Sequence, residues 1–233
     1  MNYQFDWDLV LHGEYAEWIV DGLIVTLKIS AISIVLSMLL GTIIAVFRMT
    51  KVKPLVWFSA AFTEFFRNTP LLVQIFFWYF GSSTILPKFV NQWLAHHDFE
   101  FAAGTIALTV YTAAFIAEEI RSGIFSIPKT QLEASRAVGL SFTQAYVYVI
   151  LPQAFRIIIP PLISQSLNLI KNSSLVMTIG VADLTYMARQ IESYTFHGFE
   201  AFTVATVIYL CISLLVSLII TQYNKHFLRK IVY

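Results

Sequence analysis

Three polar groups lie inside stretches that are otherwise apolar, and each could do chemistry. Ser164, Asn168 and Lys171 fall at i, i+4 and i+7, so a helix gathers them on one face, with Asn172 next along the chain. A hydroxyl, carboxamides and an ammonium could line a passage and meet a substrate carboxylate. The plainer reading is that Lys171 pairs with an acid or reaches toward the head groups. Glu64 and Arg67 stand at i, i+3, where an ion pair would neutralise both; a gating role is the alternative. Lys28 lies seven residues from Asp21 on one helix face and reads as a second such pair. His96-His97-Asp98 has metal-binding residue types, but three consecutive side chains do not converge on one ion, so no metal site is expected.

Nucleophile and phosphate chemistry have no residues to carry them. None of the nine glycines is followed by Lys, so the chain has no phosphate-cradling G-x-x-x-x-G-K-[ST] loop. Neither G-x-S-x-G nor H-E-x-x-H occurs. No catalytic residue and no bound cofactor are expected. The single Cys211 excludes a disulfide framework.

The elements that would position these residues are membrane helices. The 233 residues are 58% hydrophobic and only 12% charged, with a mean hydropathy of +0.71. Soluble domains carry about 25% charged residues. Five stretches approach the ~20 apolar residues that cross a bilayer: about Trp18–Phe47, Pro54–Leu86, Phe101–Ile120, Ala154–Gly180 and Ala201–Tyr223. Glu64, Arg67 and Pro70 interrupt the second; Arg156, Pro160, Pro161 and Lys171 interrupt the fourth. Trp57, Trp78 and Trp93 read as interfacial anchors.

Charge sets the orientation. Arg48, Lys51, Lys53, Arg67, Arg121, Lys129, Arg136, Arg156, Lys225, Arg229 and Lys230 fall on one side, against only Lys88 and Arg189 on the other. By the positive-inside rule the N-terminus is outside and the C-terminus cytoplasmic. The first seventeen residues hold Asp6, Asp8, Glu14 and Glu17 without Lys or Arg, so a cleavable leader is not expected. The chain divides into an extracytoplasmic tail (1–17), one membrane domain (18–224) and a basic cytoplasmic tail (225–233).

One cytoplasmic stretch, 128–152, reads like part of a soluble protein. Thr130 and Glu133 fit a capping box, Gly139 fits a left-handed helix stop, and Ser141 with Gln144 fits a second cap. Ala134, Ala137 and Val138 give the first helix a small-residue side. Phe142, Ala145, Tyr146, Val149 and Ile150 form a helical stripe ahead of Pro152. A surface loop that merely joins spans is one reading; a compact element for docking is the other.

The spacing Glu133-Ala134-Ser135, Gly139, then Val149-x-Leu151-Pro152 resembles the EAA signature in permease subunits of bacterial ATP-binding-cassette (ABC) importers. Ser135 replaces the second Ala and Val149 replaces Ile, both close in size. Glu64-Phe-Phe-Arg67-Asn-Thr-Pro70-Leu, Ala114-Phe-Ile-Ala-Glu118-Glu-Ile-Arg121 and Asn168-Leu-Ile-Lys171-Asn172-Ser173-Ser174-Leu resemble segments of the polar-amino-acid branch, closest to glutamate/aspartate permeases. The resemblance implies an all-α inner-membrane subunit that does no chemistry itself. It implies a coupling loop through Glu133, Ala134, Ser135, Gly139, Leu151 and Pro152, with Glu118, Glu119 and Arg121 supporting it. The implied partners are a cytoplasmic ATPase dimer that uses ATP and magnesium, a second permease subunit and an extracytoplasmic amino-acid-binding protein. A permease for glutamine, basic or other polar amino acids is the alternative within the family. An ATP-independent carrier or channel is the alternative outside it, and nucleic acid has no place in any of these.

Overall fold

The computed structural model of the chain describes residues 5–85, 88 and 98–223. Trp93, the His96-His97 pair and the basic tail, all singled out above, lie outside the described residues. Every described element is helical. In chain order they are α1 (Trp7–Leu11), α2 (Gly13–Met49), α3 (Lys53–Arg67), α4 (Leu71–Ile85), α5 (Phe99–Phe125), α6 (Lys129–Ala137) and α7 (Phe142–Ala145). A π-helical turn (Tyr146–Ile150) leads into α8 (Leu151–Asn172), and a 3-10 turn (Ser173–Ile179) precedes α9 (Leu184–Thr195) and α10 (Gly198–Tyr223).

Among the described residues, four helical segments are long and apolar enough to cross a membrane: Gly13–Met49, Phe99–Phe125, Phe142–Ile179 and Gly198–Leu218. The second of the five expected spans is instead two helices, α3 and α4, of 15 residues each. Pro70 has no N–H to continue the ladder. Asn68 ends α3, its backbone and side-chain amides both donating to Glu64 O, at 3.2 and 2.7 Å. Gln74 donates to Thr69 Oγ1 at 2.7 Å as α4 begins. Pro160 and Pro161, expected to interrupt the fourth span, sit inside α8 without ending it.

The chain forms two compact units, one from Met1–Leu36, Thr69–Thr109 and Leu167–Ser217, the other from Ser37–Asn68, Val110–Ser166 and Leu218–Tyr233. In the first, Val10, Ile19, Leu184, Ala188, Ile191, Ala201 and Ala205 form one buried cluster. It joins α1, the start of α2, α9 and the start of α10, so an element of five residues is held by tertiary packing rather than propensity. A Cβ on Gly22 would lie 2.8 Å from Met187 Cγ, so only glycine lets α2 approach α9 this closely. Glu200, fully buried, accepts the Asp6 backbone N–H at 2.9 Å and lies 3.1 Å from His197 Nδ1. In the second unit Ile44, Ala45 and Ala117 pack with Leu40, Phe62 and Ile120. There a Cβ on Gly41 would lie 2.6 Å from Ile116 Cγ2. Between membrane helices such close backbone approach replaces the missing hydrophobic drive.

Helix α9 was not foreseen in the sequence. Its start is fixed by Asp183, which accepts the Tyr186 N–H at 2.9 Å and the Tyr209 hydroxyl at 3.2 Å. Thr26 accepts the Leu184 N–H at 3.0 Å. Burial pushes the Asp183 carboxyl up to about 6, against the hydrogen bonds that favour its charged form. Ionising it in the folded chain thus costs more than in the unfolded one. Its contribution to stability is fully present below about pH 4, declines between about pH 4 and 6, and stays low above that. Asp183→Asn keeps a good capping group without the ionisation. We expect its thermal midpoint in detergent to exceed wild type at pH 7.5, with the difference closing as pH falls through 6 toward 4.

Candidate coupling loop and polar helix face

The loop between α5 and α8 is built from local hydrogen bonds. Helix α6 begins at Lys129 with Pro128 as its N-cap and no side-chain cap. The expected Thr130–Glu133 capping box is therefore absent, because the helix starts early enough to put Thr130 inside its first turn. Pro128 supplies a fixed φ where no donor is needed. The helix ends as expected at Gly139, with φ +94. Leu140 N–H donates to Ser135 O at 3.2 Å and Gly139 N–H to Arg136 O at 3.1 Å, the paired bonds of a Schellman stop. Arg136 Nη1 reinforces the corner by donating to Leu140 O at 2.8 Å.

The second cap is present in full. Gln144 N–H donates to Ser141 Oγ at 3.2 Å and Ser141 N–H to Gln144 Oε1 at 2.8 Å. The corner sorts the faces of α6. Ser135 is buried, its hydroxyl donating to Gln131 O, whereas Glu133, Ala134, Ala137 and Val138 are exposed. An exposed face of small side chains is what close approach by another protein requires.

Beneath the loop lies a cavity of about 480 Å³, whose lining includes Met49, Phe125, Leu132, Glu133, Tyr146 and Ile150. The stripe expected on the second helix partly holds: Ala145 and Ile150 are buried, but Phe142 is 59% exposed and packs at a tilt against Tyr146, ring centres 4.7 Å apart. Its register shifts at the π-helical turn, a feature the sequence reading missed. Leu151 N–H donates to Tyr146 O, five residues back. Pro152 offers no N–H to continue the ladder, and Gln153 Nε2 donates to Val149 O at 2.7 Å. The signal was present: a proline inside an otherwise uninterrupted helical pattern.

Nearby acids are ordered. Glu118 and Arg121 form a two-bond ion pair, with Nε to Oε2 at 2.9 Å. The Arg121 guanidinium lies 5.6 Å from the ring centre of Phe125, a cavity-lining residue. Glu119 accepts from Gln165 at 3.5 Å.

Ser164, Asn168 and Lys171 all lie exposed on α8, and Asn172, half-buried, leads into the 3-10 turn. The Ser164 hydroxyl donates to Pro160 O at 3.2 Å. Lys171 makes no ion pair with a described residue and sits in the last turn of α8, where the helix dipole favours a cation. Glu64 and Arg67 do not form the expected ion pair. Glu64 Oε2 accepts from Asn68 Nδ2 at 3.1 Å, and the Arg67 guanidinium stands 5.3 Å from the ring centre of Phe115. Lys28 likewise lies over Phe101, at 5.6 Å, rather than pairing with Asp21. In both cases a nearby aromatic face takes the cation without requiring two charges to be desolvated.

Long apolar helices, four of them able to cross a membrane among the described residues, define a polytopic membrane protein. The chain belongs to the family of binding-protein-dependent transport system inner membrane components, which it matches over residues 37–231. It is a transport component of the inner membrane, not an enzyme. The probable glutamine ABC transporter permease protein GlnM of Bacillus subtilis (strain 168) is 43% identical over 205 residues, 88% of this chain and 91% of that protein. The glutamate/aspartate import permease protein GltJ of Escherichia coli (strain K12) is 34% identical over 235 residues, 97% of this chain and 96% of that protein. The crystal structure of an amino acid ABC transporter with histidines contains a chain matched at TM-score 0.86 and 32% identity, covering 97% of this chain and all of that one.

Removing the Gln153 carboxamide should loosen the joint below the loop. In Gln153→Leu we expect amides at 147–153 to exchange with deuterium about fivefold faster, in line with the ~1 kcal/mol net value of one hydrogen bond. Mass-spectrometric exchange should show the rest of the chain unchanged.

Proposed function

We propose that this chain is the permease subunit of an ABC importer for a polar amino acid, with glutamate and aspartate as the favoured substrates. The observation that carries the reading is the α6–Gly139–α7 loop, stopped at a left-handed glycine and presenting an exposed small-residue face. In a binding-protein-dependent family whose member here lacks any phosphate loop, such a face is the natural dock for a separate ATPase. ATP and magnesium act there, and this chain holds no cofactor. Glu133, Ala134 and Ser135 lie on α6 and Gly139 sets its end. Leu151 and Pro152 begin the helix that carries motion into the membrane.

The arrangement that follows has five spans, with α3 and α4 together serving as the second, the N-terminus outside and the C-terminus in the cytoplasm. The tail at 1–17 faces outward, the membrane domain covers 18–224 with its coupling loop at 128–152, and the basic tail at 225–233 lies inside. A second permease subunit, identical or similar, completes the passage, because so few helices do not enclose an amino acid. An extracytoplasmic binding protein delivers substrate; closure of the ATPases pulls α6 and rocks the spans between access states.

Ser164, Asn168, Lys171 and Asn172 form the substrate path, with Lys171 meeting the side-chain carboxylate. The exposure of the first three, and the absence of an ion pair between Lys171 and any described acid, support this. Glu64 and Arg67, no longer a pair, remain candidates for gating through their flanking break at Asn68. Glutamine is the second reading, favoured by the likeness to the probable glutamine permease.

Uptake of labelled glutamate and glutamine by the full assembly tests both claims. A Cβ at 139 meets nothing within 4 Å, so only backbone conformation forbids substitution there. Gly139→Asn, which tolerates the left-handed region, should retain ATP-driven uptake, while Gly139→Pro should lose uptake and ATPase stimulation with assembly intact. Uptake that persists in Gly139→Pro would favour a carrier. Lys171→Ala should lower glutamate uptake at least tenfold and spare glutamine, the scale of one charge-assisted hydrogen bond. Equal effects on both would remove Lys171 from the substrate.

A further inference from the structure

The corner between α2 and α3 concentrates positive charge beside exposed apolar surface. Arg48 lies in the last turn of α2, and Lys51 and Lys53 follow at the turn into α3. None of the three lies within ion-pair distance of a described carboxylate. The first turn of α3 holds no acid, and its N-cap, Val52, offers no side-chain acceptor. The corner is nonetheless well formed. Thr50 Oγ1 donates to Phe47 O at 2.9 Å, Val56 N–H donates to Val52 O at 3.1 Å, and Arg48 Nη1 reaches Val56 O at 3.5 Å. An ordered corner thus holds three cations, none of them in an ion pair with a described carboxylate; the charge of Arg48 is felt by Glu118, whereas Lys51 and Lys53 are exposed.

Directly beside it, Val52 is 52% exposed, Trp57 70% and Phe58 55%. Trp57 stands one helical turn beyond Lys53, on the same side of α3. The surface therefore needs an occupant with an anionic end and an apolar body. A second copy packed two-fold on this face would bring Lys51 and Lys53 against their own counterparts, like charges facing each other. An anionic phospholipid satisfies both halves at once, and a subunit of the inner membrane is surrounded by lipid.

We propose that the α2–α3 corner is a binding site for an anionic phospholipid. Lys51, Lys53 and Arg48 hold the phosphate head group, and the acyl chains lie along Val52, Trp57 and Phe58. The site does not depend on which substrate is transported. It requires only that the chain sit in a bilayer.

Quenching of tryptophan fluorescence by lipids brominated on the acyl chain tests it on the full chain in vesicles. The Trp57 signal is the difference between wild type and Trp57→Phe. In vesicles of equal parts phosphatidylglycerol and phosphatidylcholine, we expect brominated phosphatidylglycerol to quench Trp57 more efficiently than brominated phosphatidylcholine, with an affinity advantage of about fivefold per lysine. The advantage should vanish in Lys51→Gln/Lys53→Gln, and should shrink with added salt in the unaltered chain, a control that needs no variant to fold. Equal quenching by the two lipids would reduce the corner to ordinary lipid contact and overturn the proposal. Quenching by neither would show that protein covers Trp57, and would overturn it as well.

Discussion

In the hydrocarbon layer no water is at hand to take a backbone N–H or C=O, so every break in a membrane helix must be closed by the chain itself. The structure can be read as a set of answers to that constraint. At the end of α3, Asn68 returns two bonds to Glu64 O. At the start of α4, Gln74 takes Thr69. Beside the π-helical turn, the Gln153 side chain adds a bond to Val149 O. At the 3-10 turn, the Ser173 hydroxyl takes Ile170 O and Gly180 closes the end at φ +94. Breaks that cost several kcal/mol if left open are thus kept as joints, and joints are what a subunit needs if it must change its access state.

The joints lie where the functional reading needs them. One lies between the α6–α7 loop, proposed above as the dock, and α8; another follows Lys171 and Asn172 directly. Segments of 3-10 and π geometry within otherwise regular helices often mark such functional positions. The loop itself is locally over-determined. The Schellman stop, the Ser141–Gln144 box and the Arg136 bond to Leu140 O act together. These bonds make the corner between α6 and α7 a rigid one, as the proposed coupling role would require.

Much of this was legible in the sequence, for physical reasons that differ by element. The long apolar runs announce spans because composition alone decides them, and Gly139 and Ser141 announce helix ends because their local chemistry leaves few alternatives. Side-chain pairing was less legible. Glu64 with Arg67, and Lys28 with Asp21, satisfy the helical spacing, yet the cations turn to Phe115 and Phe101. Aromatic faces brought in from α5 are invisible to a reading confined to one helix. Helix α9 was missed because its core, Leu184, Ala188 and Ile191, is short and set among polar residues. Its cap depends on Tyr209, far along the chain.

The central claim is that α6 is the surface through which another protein drives this one. Cys211 is the sole cysteine, so Cys211→Ser gives a clean background for cross-linking. With Ala137→Cys in that background, and single cysteines placed in turn across the cognate ATPase, the account predicts a disulfide to one ATPase groove. That bond should arrest ATP-driven uptake, and reduction should restore it. If Ala134, Ala137 and Val138 positions all fail to cross-link while the assembly still imports its substrate, the account is contradicted.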